Sequence, residues 1–309
     1  MDFRQLEYIV EIAKENNISR AAKNLFISQS ALNQQLLKLE NELGTQLFHR
    51  SRTDWRPTEA GEIYLRGARE ALLIKKDTYS HINDITHSKK SELRLGLTPG
   101  RGIRMFTAIY PELHRKFHDL VILPIEMNVH SQQKAIEAGE LDLGFMTLTE
   151  SQRVNAAYIT LGSEEMAVLV PKGHPVTEGY EIRDGKLPII DIRDLREEPF
   201  TLMYKNSTMR ETCDRIFENA GLIPHVIMET SSTASIVSMV ASMLCCSIVP
   251  RYYVEPENTM VASFVLPEHP CWDLCISYRK KAYLTDAGKE YIRLAKQYWE
   301  KTLTPVQDD

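Results

Sequence analysis

The first 57 residues alternate apolar and polar positions at the spacing of α-helices. Apolar residues recur every three or four positions in three short segments, which predicts three amphipathic helices. In the third helix Ser28 is placed to cap the start and Gly44 to end it. The predicted buried stripe of this helix is Leu32, Leu36, Leu39 and Leu43. A short second helix, a tight turn and a capped third helix are typical of a helix-turn-helix.

Residues 58–86 have the pattern of one long helix without proline. Two apolar stripes run along it. The first contains Leu65, Leu72 and Tyr79 with Ala68, Lys75 and Ile82 between them, and the second contains Ala71, Ile74, Thr78 and Ile85. Because a lone helix cannot bury two stripes, we expect it to pack against its own copy in a dimer. The polar residues 87–91 predict a hinge.

Beyond residue 91, strand-like and helix-like patterns alternate. The predicted strands cover residues 93–97, 121–127, 141–146, 167–171, 200–204, 225–229, 247–250, 260–266 and 274–278. The predicted helices cover residues 103–117, 131–138, 208–220, 232–241 and 285–302. Such alternation favours an α/β fold in which helices cover parallel sheets. Ligands of such sheets bind beyond the carboxyl ends of the strands.

The composition of the chain mainly excludes certain classes of protein. The chain has 309 residues, 43% of them hydrophobic and 26% charged, which is typical of a globular protein of about two domains. The longest apolar stretch, residues 239–250, is too short for a membrane span, and charges in the first thirty residues leave no signal peptide. We therefore expect a cytoplasmic protein without a membrane partner. The five cysteines and nine histidines lack metal-ligand spacing, so no metal or cofactor is predicted.

Charge alone does not indicate DNA binding, because residues 1–90 hold 14 Lys/Arg against 12 Asp/Glu. Placement does. The face of the third helix opposite its leucines carries Gln29, Ser30, Asn33 and Gln34, and Gln and Asn can pair bidentately with adenine. The alternative is a solvated helix face. The basic strip that follows, with Arg50 and Arg52, favours DNA because it could grip phosphate while the polar face reads bases.

Three runs in this part of the chain closely resemble the LysR-type transcriptional regulators. They are Ala21-Ala22-x-x-Leu25-x-Ile27-Ser28-Gln29-Ser30-Ala31-Leu32, Leu39-Glu40-x-Glu42-Leu43-Gly44-x-x-Leu47-Phe48-x-Arg50, and Thr58-Glu59-Ala60-Gly61. Looser matches continue at Gly139-x-Leu141-Asp142-Leu143-Gly144, Val168-x-Val170-Pro171-x-Gly173-His174-Pro175, Ala220-Gly221-x-x-Pro224 and Ser247-Ile248-Val249-Pro250. The resemblance thus covers nearly the whole chain.

The resemblance implies an α/β protein overall, in three parts. Residues 1–57 would form a mostly α winged helix-turn-helix, residues 58–86 a dimerising linker helix, and residues 92–309 a two-lobed α/β effector domain of the periplasmic-binding-protein type. Lobe I would comprise residues 92–162 and 267–309, and lobe II residues 163–266. The family assembles as homotetramers built from dimers, binds double-stranded promoter DNA and responds to a small molecule. Ser28 joins the expected DNA contacts.

The sequence departs from the family pattern at a few positions. Ser30, Asn33 and Gln34 stand where the family often has Pro, Ser and Arg, which leaves the operator sequence open. Met243 and Cys245 stand where glycines are common. Positive φ at those two positions would strain the backbone, so we expect the local turn to differ from that of the family.

Four strand-to-helix turns could line a cleft between the lobes. Each offers a hydroxyl near the start of a helix, where backbone amides and the helix dipole attract anions. The residues we expect to bind an effector are Thr98, Gly100, Arg101, Ser131, Ser207, Thr208 and Thr230, with Arg101 as the counter-charge. The alternative for any one of these hydroxyls is a helix cap. Together they suggest a small anionic metabolite.

Three rival functions are open. Thiol sensing is disfavoured because the position of the reactive cysteine in peroxide-sensing relatives corresponds here to Thr208. A solute-binding protein of a transport system would need a secretion signal and would leave residues 1–86 unexplained. An enzyme would need a nucleophile or an acid–base pair, and the sequence offers no such motif, so no catalysis is expected.

Overall fold

The computed structural model describes residues 2–50, 55–86, 92–178, 186–255 and 257–303. The chain divides into two compact units at residue 88. The predicted hinge at 87–91 lies outside the described residues. Within those residues no helix combines the length and apolarity that a membrane crossing requires.

The first unit begins with three helices, α1 (Phe3–Glu15), α2 (Ile18–Asn24) and α3 (Gln29–Leu43). Asn17 and Ser28 cap the second and third, and Gly44 ends α3 with φ +67°. Their shared core contains Ile9 and Leu32. Leu43 does not join it, because it lies at the last position of α3 and is 46% exposed.

Two segments paired in antiparallel fashion follow α3 and form the base of the wing. Phe48 and Pro57 make an antiparallel bridge, and the amide of His49 donates to the carbonyl of Arg56 at 2.8 Å. Phe48 is fully buried, which ties the base of the wing to the helical core. The expected winged helix-turn-helix is present in the described part of the chain.

Helix α4 (Glu59–Ile85) matches the predicted long helix. Its first turns pack on the domain that precedes it: Leu65 and Ala68 are fully buried, and Lys75 pairs with Glu7 of α1 at 3.0 Å. Part of the predicted dimer stripe is therefore covered within the same chain. Large apolar residues further along remain exposed, so the helix still presents an uncovered apolar face.

The second unit contains nine strands and five α-helices within its described residues. The strands are β1 (Glu92–Leu97), β2 (Val121–Glu126), β3 (Leu143–Leu148), β4 (Ala157–Pro171), β5 (Pro199–Met203), β6 (His225–Thr230), β7 (Ser247–Pro250), β8 (Val261–Val265) and β9 (Cys271–Tyr278). The helices are α5 (Arg101–Lys116), α6 (Val129–Glu137), α7 (Thr208–Asn219), α8 (Thr233–Ala241) and α9 (Asp286–Thr302).

The sheets are mixed rather than wholly parallel. Strand β1 pairs in parallel with β2 and β3, and β5 with β6, but β9 runs antiparallel to both β3 and β4. The main sheet has the order β2-β1-β3-β9-β4-β7, with β8 also paired to β4. The two expected lobes have separate cores, one built around Phe145 and Trp299 and the other around Phe200 and Phe264.

Strand β4 links the lobes. It begins ten residues before the predicted strand at 167–171, and its first part pairs with β9 while residues 166–171 pair with β7 or β8. Residues 266–270 return the chain from β8 to β9. Strand β4 and residues 266–270 are thus two connections between the lobes.

Candidate DNA-binding face and effector cavity

The amino-terminal turn of α3 presents the predicted reading face. Gln29, Ser30 and Gln34 are exposed and Asn33 is half-buried. The Ser28 hydroxyl accepts from the amide of Ala31 at 3.1 Å, which fixes the start of the helix. The hydroxyl of Ser19 on α2 donates to Gln29 Oε1 at 2.8 Å, so this side chain is oriented before any DNA arrives.

Arg50, which we expect to contact phosphate, is also paired within its own domain. The Arg50 guanidinium forms an ion pair with Glu40 of α3, whose carboxylate is 5% exposed and also accepts from the amide of Leu47. It also lies 5.8 Å from the ring centroid of Trp55. Arg50 therefore holds the wing to the reading helix, and its charge is already compensated. Arg52, the other predicted phosphate contact, lies outside the described residues.

The lobes of the second unit enclose a cavity of about 860 Å³. All four predicted strand-to-helix turns contribute to its lining, because β1 and β2, and likewise β5 and β6, end side by side. The aromatic side chains of Tyr252, Tyr253 and Trp272 complete one wall. An open space of this size, framed by helix starts from both lobes, can hold a small molecule.

The turn after β1 offers an unsatisfied donor. Thr98 lines the cavity with 7% of its surface exposed, and its hydroxyl has no hydrogen-bond partner among the described residues. Gly100 turns the chain into α5 with φ +71°, and no side chain caps this helix start in the described structure. A buried hydroxyl beside a helix start without a side-chain cap is an environment that favours an anionic oxygen.

Arg101, which the sequence suggested as a counter-charge for the ligand, is paired with a carboxylate of the protein. Its guanidinium donates to Glu164 of β4 at 2.5 Å, and the two side chains are 4% and 2% exposed. Burial alone would lower the pKa of Arg101, but the Glu164 carboxylate holds it above the ordinary value. The charge is therefore neutralised within the protein, and Arg101 belongs to the floor of the cavity.

An aromatic cage surrounds this ion pair. The guanidinium carbon lies 4.8 to 5.9 Å from four ring centroids, those of Tyr252, Tyr253, Trp272 and Trp299. Glu164 also accepts from the amide of Tyr252 at 2.7 Å and from Trp272 Nε1 at 2.9 Å. The pair thus joins α5 to β4, to β9 and to the segment that follows β7.

The remaining predicted effector residues divide evenly. Ser207 and Thr208 line the cavity, at the start of α7. Ser131 is exposed outside the lining, because Asn128 rather than Ser131 stands at the start of α6 and faces the cavity. Thr230 is also outside the lining, and its hydroxyl accepts from the amide of Ser232.

The residues that sequence reasoning missed are the cations and aromatics of the wall. Arg104 lines the cavity one turn into α5, and its guanidinium donates to the Tyr252 hydroxyl at 3.2 Å. Lys205 lines it from lobe II. The spacing of Arg101 and Arg104 on one helix could have indicated Arg104, whereas nothing local indicates Tyr252.

The charges around the cavity nearly balance. Glu229 lines it but is paired with Arg210 at 2.7 Å, and Glu126 is the remaining acid beside the cations Arg104 and Lys205. With Arg101 neutralised, the lining keeps a small net positive charge. This balance fits a small ligand of low negative charge.

A polar clasp closes the cavity between α7 and lobe I. The Thr208 hydroxyl donates to the carbonyl of Thr147 on β3 at 2.8 Å. Gln152 Nε2 donates to Glu211 at 2.7 Å, and Arg215 donates to Ser151 and Thr149. These contacts cross from one lobe to the other and hold them together.

Thiol and metal chemistry find little support in this geometry. Burial raises the pKa of Cys213, Cys246 and Cys275 to about 12 and that of Cys271 to about 11, and it also raises the pKa of Cys245. Thiolates are therefore scarce at neutral pH. Among the described residues no three His, Cys, Asp or Glu side chains gather as a metal site. The expectation of a different local turn is wrong at Met243, whose φ is +59°, whereas Cys245 is not among the positive-φ residues.

Two family models match this chain. Residues 3–62 match the model of bacterial regulatory helix-turn-helix proteins of the lysR family, and residues 86–300 match the LysR substrate binding domain. A reading helix with a wing, joined by a long helix to a two-lobed cavity, is the architecture of a ligand-responsive DNA-binding regulator. The chain belongs to the LysR family of transcriptional regulators.

Individual relatives agree with this assignment. An uncharacterized HTH-type transcriptional regulator of Bacillus subtilis, YwbI, is 27% identical over 97% of this chain and 98% of its own length. The structure of a full-length OxyR variant from Pseudomonas aeruginosa shares the fold with a TM-score of 0.67 and 24% identity, covering 100% of this chain and 99% of that one. CbnR in complex with its target DNA has a TM-score of 0.55 at 19% identity, over 96% and 100% of the chains.

Proposed function

We propose that this regulator binds promoter DNA through the reading face of α3 and that a small anionic metabolite in the inter-lobe cavity modulates the binding. The buried, unpartnered hydroxyl of Thr98 at the uncapped start of α5 carries the proposal for the ligand. Arg104 and Lys205 supply the positive charge that Arg101 cannot. A monocarboxylate fits this balance best.

The ligand assignment is tested by thermal shift of the full-length protein against a panel of small carboxylates. Thr98→Val removes the hydroxyl at nearly constant volume, and we expect ligand affinity to fall about tenfold or more. Ser131→Ala is the matched control, because it also removes a predicted hydroxyl but one outside the cavity. Equal ligand shifts in Thr98→Val and the wild type would reject this site.

For DNA, we propose that Gln29, Ser30, Asn33 and Gln34 contact base edges and that Ser28 positions the helix. Their exposure on one face supports this assignment, as does the Ser19 hydrogen bond that orients Gln29. Gln29→Ala should relax preference among operator variants. A uniform loss of affinity at every variant would contradict base reading by Gln29.

We propose a homodimer through α4, and a homotetramer of two such dimers, acting in the cytoplasm where promoter DNA lies. Ile63, Ile74 and Ile85 recur every eleven residues, about three helical turns, and each is 64 to 68% exposed. Ile74→Asp should shift the sedimentation of the protein towards monomer. An unchanged sedimentation coefficient would remove this face from the interface.

The proposal includes no catalytic step. It also sets thiol sensing aside, because burial keeps the five thiols protonated at neutral pH. Peroxide should leave operator binding unchanged in both the wild type and a variant lacking all five cysteines. An oxidant response that disappears in the cysteine-free variant would reinstate thiol sensing.

A further inference from the structure

Phe26 is unusually exposed for an aromatic residue. It lies in the turn between α2 and α3, and 96% of its surface is exposed to solvent. Aromatic side chains gain most from burial, and here the ring makes almost no contact with its own domain. Its position therefore contributes nothing to the core of the helix-turn-helix.

The backbone of Phe26 is also unfavourable for its side chain. Its amide donates to the carbonyl of Lys23, and the amide of Ile27 donates to that of Ala22. This pair of hydrogen bonds ends α2 and puts Phe26 in the left-handed region, with φ +55°. Glycine or asparagine is favoured at this position of the motif, so a phenylalanine here is strained.

Phe26, with its exposed ring and strained backbone, lies close to the predicted DNA-reading residues. Phe26 lies two residues before the cap Ser28 and three before Gln29. Consecutive Cα atoms are about 3.8 Å apart, so its backbone is within about 11 Å of that of Gln29. Base pairs repeat every ~3.4 Å, so the backbone of Phe26 lies within about three base pairs of the base pair that Gln29 would contact.

We propose that Phe26 is a DNA contact, with its ring packed on apolar atoms at the edge of the major groove that α3 enters. The apolar surface that DNA offers there is the 5-methyl group of thymine or the carbons of deoxyribose. The strain at Phe26 and the exposure of its ring are compensated when duplex covers the ring. This inference rests on DNA binding by the helix-turn-helix and adds an apolar contact to its polar ones.

Met243 provides a matched control elsewhere in the chain. It has φ +59°, is 66% exposed, and ends α8 with the same two hydrogen bonds, from Met243 to Val240 and from Leu244 to Met239. Met243→Asn and Phe26→Asn should both raise the melting temperature, because asparagine tolerates the left-handed conformation. Only the second should affect DNA.

The test measures binding of the full-length variants to duplex from the upstream region of the gene, over a series of salt concentrations. Phe26→Asn should weaken binding about tenfold with an unchanged salt slope, because no charge is lost. Phe26→Leu should keep most of the affinity. Uracil in place of thymine should weaken the wild type if the methyl group is the partner and leave it unchanged if the sugar is.

Wild-type affinity in Phe26→Asn would overturn the proposal for Phe26. If Gln29→Ala loses affinity in the same assay, the failure concerns Phe26 alone. If neither variant loses affinity, the reading face itself is misassigned. A large drop in the melting temperature of Phe26→Asn would overturn the argument from strain, and with it the proposal.

Discussion

Replacing Arg101 by methionine should destabilise the effector domain strongly. Methionine keeps the aliphatic volume in the aromatic cage but leaves the Glu164 carboxylate, 2% exposed, without its cation. Breaking a buried ion pair from one side costs about 3–5 kcal/mol, because an uncompensated charge remains. Two neutral donors, the Tyr252 amide and Trp272 Nε1, still reach the carboxylate, so we expect about 4 kcal/mol.

Glu164→Gln should cost less, about 2–3 kcal/mol, because four aromatic faces still stabilise the guanidinium and the amide oxygen can accept from it. The double variant with Arg101→Met retains neither charge of this pair. We expect it to be more stable than Arg101→Met alone, so the two changes should be strongly non-additive.

The assay is urea unfolding of the full-length protein, followed by tryptophan fluorescence. Trp272 and Trp299 flank the ion pair, and their transition is the one that should shift. Circular dichroism at ambient temperature would show that each variant remains folded without urea. A loss below about 1 kcal/mol for Arg101→Met, or a double variant equal to the sum of the single ones, would refute the reasoning. Loss of ligand binding at full stability would restore Arg101 as the counter-charge.

Three further outcomes follow from the contacts of other arginines. Arg50→Ala should lower the stability of the wing and change the salt slope of DNA binding by much less than one unit, because Glu40 already compensates the charge; a full unit would show a phosphate contact. Hydrogen bonds from Arg293 hold the pKa of Glu290 at about 2. The wild type should therefore be more stable than Glu290→Gln by a constant amount above about pH 4.5, and this difference should vanish towards pH 2 in pH-dependent melting curves. A difference in stability that does not depend on pH would contradict this. Arg215→Ala should weaken the clasp and change effector affinity while leaving DNA affinity without effector intact; unchanged affinity would show that the clasp is not coupled to the cavity.

The helix-turn-helix could be predicted closely because its signals are local. Ser28 and Gly44 cap the helix turns to which they belong, and the spacing of the leucines places them on one face of the helix. Leu43 was wrongly predicted to be buried for the same reason. The apolar spacing continues to the last residue of α3, but the neighbouring helices do not extend far enough to cover that residue. The apolar stripe of residues 58–86 was likewise visible, but not that α1 covers its start.

Strand β4 shows where sequence patterns fail. Its first half, from Ala157, carries a glycine and two adjacent glutamates, which hide the period of a strand. Those glutamates are buried because each meets a cation: Glu164 meets Arg101, and Glu165 meets Arg251 at 2.9 Å. Nothing in a short window of sequence predicts such partners, so the antiparallel order of the sheet was missed as well.

The two arginines that the sequence assigned to ligands both have carboxylate partners that the sequence did not predict, and the physical reason is the same. An exposed arginine in a loop or at a helix start is a natural anion contact, but its availability depends on whether a carboxylate lies nearby in space. Arg101 pairs with Glu164, which is 63 positions away in the sequence, and Arg50 of the wing pairs with Glu40 of α3. Both guanidinium groups hold the framework around a site. The anion-binding role in the cavity then falls to groups whose hydrogen-bonding capacity is left over, the Thr98 hydroxyl and the start of α5, with Arg104 as the nearest cation on the same helix. A ligand bound there would touch the same helix that Arg101 ties to β4, the strand that links the lobes, so binding can bias how the lobes are joined.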